Sequence, residues 1–244
     1  MGCERVYSAR EIAEGEGARV KRLFPGKEIR DFDPFVLLDE FFVDAGTGFP
    51  DHPHRGFEAL TYMLEGSFRH KDNMGNDTEV ATGGVQKFSA GRGLVHSEMP
   101  GEKASVAHGI QLWVNLPRRL KNSAPSYMQV QSERLQVREI DGGYERVIAG
   151  DGSEVRFNTE IKYFDVKLKA SSEYRSPSVS ALNGIIYVYE GSVMIGSREC
   201  VRGEGFLFDQ VSHVTLRSLS DTKFILVAGM PHGEPIIHKG SYVD

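Results

Sequence analysis

One hairpin-like segment occurs twice in this chain, and that repetition limits the available folds more than any other feature. Leu60, Tyr62 and Leu64 alternate with Thr61 and Met63 before Glu65-Gly66 turns the chain into Ser67-Phe68-Arg69-His70. Alternation of period two marks strands that bury one face. Far downstream, Ile186-Tyr187-Val188-Tyr189 leads through Glu190-Gly191 into Ser192-Val193-Met194-Ile195. Placing Tyr62 on Tyr187 also places Glu65 on Glu190, Gly66 on Gly191 and Ser67 on Ser192. A glycine-led strand follows each hairpin, Gly83-Gly84-Val85-Gln86-Lys87-Phe88 in one half and Gly203-Glu204-Gly205-Phe206-Leu207-Phe208 in the other. A repeat of this spacing implies two similar domains in tandem.

Both halves read as all-β, each an antiparallel barrel or sandwich. The chain has 27 glycines, where average usage of about 7% would give roughly 17; the excess suits tight turns between short strands. Asn122-Ser123-Ala124-Pro125-Ser126 breaks regular structure, so the expected domains are 1–126 and 127–244. Few short helices are expected. The clearest is Ser8–Gly15, with a serine cap, Glu11 at the third helical position and a terminating glycine.

Bulk features exclude several function classes. The net charge is -5 with no long run of one sign, and Arg118-Arg119-Leu120-Lys121 is too short to mark a nucleic-acid surface; it reads as a solvated loop. Cys3 and Cys200 cannot form a disulfide framework. No apolar run reaches the length of a membrane span, and the N-terminus has neither a signal core nor a myristoylation pattern. Asn76-Asp77-Thr78 fits a glycosylation sequon but reads as a polar turn. The expectation is a cytoplasmic protein, monomeric because the two barrels can pair within one chain.

The chemistry is concentrated in histidines. Residues two apart on a strand share a face, with Cα atoms roughly 7 Å apart, so two imidazoles so placed converge on one ion. His52-Pro53-His54 has this spacing, and His96-Ser97-Glu98 repeats it with a carboxylate. Two such pairs on neighbouring strands supply four ligands from rigid backbone: His52, His54, His96 and Glu98. Pro53 cannot donate to a central ladder and predicts an edge or bulge. His70, His213, His232 and His238 are scattered and read as core or surface residues, and His108 reads as the start of a strand.

The donor set favours a borderline first-row ion, since thiolates are absent and calcium would need more oxygens. A closed zinc site, manganese, or an octahedral Fe(II) with two open positions all satisfy it. With one carboxylate among four ligands the centre stays positive and attracts an anion such as an enolate. In the second half the repeat places Pro177 and Val179 at His52 and His54, and Thr215 at Glu98 if His213 answers to His96. One metal per chain, in the N-terminal domain, follows.

Three stretches carry a resemblance: Asp51-His52-Pro53-His54-Arg55-Gly56-Phe57-Glu58, Tyr62-Met63-Leu64-Glu65-Gly66, and Ser89–Pro100 with its Gly91-Arg92-Gly93-Leu94-Val95-His96-Ser97-Glu98 core. With His108–Leu116 and Gly233-Glu234-Pro235-Ile236-Ile237 they closely resemble the pirin family of the cupin superfamily. The likeness covers nearly all of the first half and is weaker in the second. It implies a bicupin, two tandem cupin barrels, with Fe(II) held in the first by residues matching His52, His54, His96 and Glu98. Glu58 is not used as the first cupin motif's ligand, and Gly91 replaces a common cupin proline; pirins share both departures. Some family members resemble quercetin 2,3-dioxygenases. That likeness implies a flavonol substrate, dioxygen, Glu98 as catalytic base, ring opening and release of carbon monoxide. Other members, in animals, act as nuclear cofactors of transcription factors, which implies the alternative of an iron-binding, redox-responsive regulator with a protein partner.

Overall fold

The computed structural model describes residues 5–102 and 104–244; Cys3, and with it any bridge to Cys200, lies outside the described residues. Among these residues the only helical turns are the single 3₁₀ turns Arg118–Leu120 and Ser132–Arg134, and everything else regular is strand. No helix is long and apolar enough to cross a membrane.

The chain divides into two compact units, and each repeats one two-sheet plan. In the first unit a seven-stranded sheet runs Ser126–Val130, Val85–Ser89, Phe57–Glu65, Val106–Asn115, Phe35–Asp44, Ala18–Phe24, Arg10–Glu14. Its four-stranded sheet runs Phe49–His54, Leu94–Pro100, Ser67–Asp72, Asp77–Ala81. The other unit has the same order: Arg5–Ser8, Glu204–Phe208, Asn183–Glu190, Thr222–Gly229, Ile161–Leu168, Gly143–Ala149, Val137–Ile140, with Glu173–Arg175, Thr215–Ser218, Ser192–Ile195, Arg198–Val201 as its second sheet. Neighbouring strands in all four sheets are antiparallel, and Tyr62 faces Val85 as its repeat partner Tyr187 faces Gly205. The architecture is therefore all-β with two like domains, as the repeat implies.

Three expectations need correction. The segment Ser8–Gly15 is not a helix: Arg5–Ser8 and Arg10–Glu14 are strands, and the second pairs with Ala18–Phe24 across Gly15 and Gly17, both at positive φ. Ile12 packs beside Phe49 on the core that includes Phe41 and Met63; burying that face outweighs a local cap. The boundary also moves. Asn122–Ser126 is not a linker but the approach to an edge strand, Ser126–Val130, paired with Val85–Ser89. The first unit runs from Arg10 to Arg134 and regains His232–Asp244, while Arg5–Ser8 joins the other. Finally, Arg118 and Arg119 are exposed, but Lys121 is buried, and its ammonium donates to Gly56 O, Asn115 Oδ1 and Val243 O at 3.0, 2.7 and 2.9 Å.

The interiors differ in kind. In the unit containing Leu135–Pro231 one continuous apolar cluster fills the space, from Phe164, Val166 and Ile186 to Phe206, Phe224 and Leu226. In the unit containing Arg10–Arg134 the apolar residues form separate groups, one around Phe41, Met63 and Phe68 and another around Phe57, Ala59 and Phe88. Buried polar side chains lie in the same unit: His54, Thr61, His70, Gln86, His96 and Glu98.

Candidate metal centre

His52 and His54 lie on Phe49–His54, the outer strand of the four-stranded sheet, so Pro53 occupies an edge. The adjacent strand Leu94–Pro100 sets His96 opposite His52, and a bulge between His96 and Glu98 resets the register. Such a bulge turns a side chain that regular pairing would aim elsewhere. The three imidazole rings lie 4.5, 4.6 and 4.9 Å apart, centroid to centroid. Their candidate ligand atoms are all within 4.8 Å of one another.

Each ring has its Nδ1 occupied. His52 Nδ1 lies 2.7 Å from Pro50 O, His54 Nδ1 3.4 Å from Ser241 O, and His96 Nδ1 3.2 Å from His70 Nδ1. An Nδ1–H donated to a carbonyl leaves the Nε2 lone pair free to bind a metal. His96 Nε2 is buried and has no hydrogen-bond partner, and a buried polar atom left so is costly unless something coordinates it. This orphaned nitrogen and the converging imidazole donors fit a bound metal ion.

Electrostatics keep His54 and His96 neutral. Burial, with the nearby His52, pushes His54 down to about 3 against the pull of the Ser241 carbonyl. Burial also holds His96 well below the usual histidine range, helped by His54, His52 and His70. Unfolded histidines titrate near about 6.5, so an unfolded chain binds protons that folded His54 and His96 refuse. Stability is therefore complete above about pH 6.5 and is lost as pH falls from there toward 3. The metal-free protein should melt at progressively lower temperature between pH 6.5 and 5, losing up to about 1.4 kcal/mol per pH unit for each such histidine. A His54→Gln variant should show a shallower decline, and an equal slope in both proteins would contradict this account.

Glu98 is buried beside the three rings. Its Oε1 accepts from Gln86 Nε2 at 2.6 Å and lies 3.2 Å from Thr61 Oγ1, while Oε2 is held more loosely by Gln111 Nε2 at 3.5 Å. Its ligand atom clusters with those of His96 and His70, not with those of His52 and His54. The structure thus unites the three histidines directly and brings Glu98 in through His96.

Sequence reasoning missed His70. It is fully buried, stacked on Tyr127 with ring centres 4.2 Å apart, and both its nitrogens are engaged. The alternation Phe68-x-His70-x-Asp72 on a strand beside His96 was the available signal. His108, as expected, sits at its strand start, bonded to Glu40 and stacked on Phe42. His238 lies 5.9 Å from Trp113 and lines the cavity over the site.

That cavity has a volume of about 540 Å³. Val20, Leu37, Phe41, Phe49, Phe68 and Trp113 form its apolar wall, and His52, His54, Glu98 and Gln111 its reactive side. Arg22 and Asp39 add a polar point, joined by bonds of 2.9 and 2.7 Å, with Glu14 also on Arg22. Burial raises Asp39 to about 6 against the pull of Arg22.

The ladders explain why the described residues of the other unit hold no counterpart. Matching Ser67 to Ser192, the strand registers put Ile195 at His70 and Leu216 at Glu98, and hence Val214 at His96. The residues predicted there, His213 and Thr215, are one position out of phase, because one residue of slip moves a side chain to the opposite face. Val214, Leu216 and Ile195 all belong to the apolar cluster. Among the described residues, both groups of three able to hold an ion lie in the unit containing His52.

Comparisons with known proteins agree with this plan. The pirin family profile matches residues 17–114 and the pirin C-terminal cupin domain profile matches 163–244. A pirin-like protein of Caulobacter vibrioides is 38% identical over 98% of this chain and 91% of its own length. Pirin of Rattus norvegicus is 39% identical over 96% and 84%. A crystal structure of quercetin 2,3-dioxygenase from Acinetobacter baumannii superposes with a TM-score of 0.91 at 27% identity, covering 98% of this chain and 90% of that one. With both profiles matched in order along its length, the chain belongs to the pirin family.

Proposed function

We propose that this protein is an iron-dependent flavonol 2,3-dioxygenase. The observation that carries the reading is the cluster of His52, His54 and His96, which Glu98 joins through His96, beside a cavity of about 540 Å³ with aromatic walls. Cavities of this size and lining take flat, drug-sized molecules. The likeness to the Acinetobacter baumannii dioxygenase supports the substrate class.

His52, His54 and His96 would hold the ion through their Nε2 atoms, with Glu98 as the fourth ligand. Bound iron would supply the Lewis acidity and redox chemistry that dioxygen needs to react with an electron-rich ring. Phe41, Phe49 and Trp113 clamp the flat rings and exclude water. Glu98 takes the proton of the 3-hydroxyl on Oε2, the oxygen held only by the long Gln111 contact. Both atoms of dioxygen enter the opened product, a depside, and one ring carbon leaves as carbon monoxide.

The test is loss of quercetin under air by anaerobically Fe(II)-loaded protein, with carbon monoxide measured. Loss requiring iron and oxygen, and abolished in Glu98→Gln, is the expected result. Full iron occupancy with no carbon monoxide would overturn the enzyme reading and favour a redox-responsive regulator that acts with a transcription factor.

A further inference from the structure

We infer that Asp72 and His70 form a positioning chain that dictates which nitrogen of His96 faces the metal. The inference rests on the metal-binding part of the proposed function and is independent of the dioxygenase chemistry.

The argument is a count of protons along three side chains. His70 Nε2 lies 3.1 Å from Asp72 Oδ2, and a carboxylate can only accept, so His70 carries its proton on Nε2. In the Nε2–H tautomer of His70 the Nδ1 is bare, and it lies 3.2 Å from His96 Nδ1. Two bare nitrogens would repel, so His96 must carry its proton on Nδ1 and donate it. What remains on His96 is the lone pair of Nε2, the buried atom without a partner. The polarity of the whole chain is therefore set at Asp72.

Asp72 is built to hold that polarity. Its Oδ1 accepts from the amides of Met74 and Asn76 at 2.9 and 3.0 Å, and its Oδ2 also accepts from Asn76 Nδ2 at 2.7 Å. Burial works against its charge, but these bonds and the one from His70 outweigh burial and hold it below the usual carboxylate range. The sequon-like Asn76-Asp77-Thr78 is therefore not a turn: Asp77 and Thr78 open the strand Asp77–Ala81, and Asn76 just before it orients a carboxylate. Strand pairing does the rest, setting His96 opposite Asp72 and Glu98 opposite His70. Tyr127 stacks on His70 at 16° between ring planes, and its hydroxyl is tied to Thr78 at 2.6 Å, which fixes the imidazole plane.

The same chain explains the second ion-capable group, His70, His96 and Glu98. Neither nitrogen of His70 is free to bind an ion, because one serves Asp72 and the other His96. His70 is a positioning residue, and one ion per site follows.

Two variants separate this role from packing. Asp72→Asn keeps Oδ1 for the Met74 and Asn76 amides but presents an NH₂ to His70 Nε2. That reverses each hydrogen bond and moves the His96 proton to Nε2. His70→Phe keeps the stack on Tyr127 and removes the acceptor for His96. Nitrogen-15 NMR of metal-free protein should place the His96 proton on Nδ1 in wild type, and on Nε2 or in exchange in both variants. Visible-absorption titration with Co(II) should show affinity falling about 10- to 100-fold, while His70→Gln, whose carbonyl can still accept, should recover most of it. An unchanged His96 tautomer with Co(II) affinity within twofold of wild type would overturn the inference. Wild-type protein that fails to bind Co(II) would instead overturn the metal reading, and the tautomer measurement would still judge the chain.

Discussion

His96→Ala protein is expected to fold, to purify without metal and to consume no quercetin above the metal-free background. His96 is the one residue common to both ion-capable groups, so its loss dissolves the cluster rather than thinning it. Removing an outer partner of a metal ligand costs about 10- to 100-fold in affinity, so removing a ligand imidazole should cost more than about 100-fold. The fold should survive. In the metal-free barrel His96 makes one side-chain hydrogen bond, to His70, and its Nε2 makes none; one such bond is worth about 1 kcal/mol. Metal content after anaerobic Fe(II) loading is the readout, with His213→Ala as control, because His213 sits in the other unit and bonds only to the Ser176 carbonyl. Stoichiometric iron in His96→Ala would remove the basis of the proposed site.

The largest stability effect is expected outside the site, at Lys121. Its ammonium donates to three acceptors, and all of them belong to buried backbone or to Asn115. Lys121→Met fills the space but strands Asn115 Oδ1 and Val243 O, while Gly56 O keeps the amide of Leu116. Buried acceptors without partners cost about 1–3 kcal/mol each, so the two together cost at least about 2 kcal/mol, or roughly 4–8 °C in melting temperature. The damage should spread to the metal. Val243 belongs to the returning segment that Arg55 also grips, through its backbone and an ion pair with Asp244, and that places Ser241 O against His54. Gly56 gives the segment its seat: at φ 85° a Cβ there would stand 1.8 Å from Val243 O. Calorimetry and Co(II) affinity should fall together in Lys121→Met. Lower melting temperature with unchanged affinity would show that the segment supports the fold and not the ligand.

Much of this could be read from the chain, and the misses have specific causes. The hairpin repeat revealed two like domains because a glycine turn flanked by period-two strands is a local pattern. The histidine pairs pointed to the cluster able to hold an ion for the same reason, since strand geometry alone puts residues two apart on one face. What escaped depends on contacts distant in sequence. Ser8–Gly15 has the local marks of a helix, and only pairing with Ala18–Phe24 makes it strand. His70 looked isolated because its partner His96 stands on another strand, 26 residues away. Val214 and Leu216, not His213 and Thr215, answer to His96 and Glu98, since a ladder register cannot be seen in one strand.

The returning segment also bears on how the protein is made. A ribosome emits the strands carrying His52, His54 and His96 early, yet Ser241 and Val243 emerge only after all of residues 135–231, which form most of the other unit. The strand Arg5–Ser8 waits in the same way for Glu204–Phe208. The first barrel to leave the exit tunnel is thus the last to be finished, and His54 gains its Ser241 contact only once the second barrel has been translated.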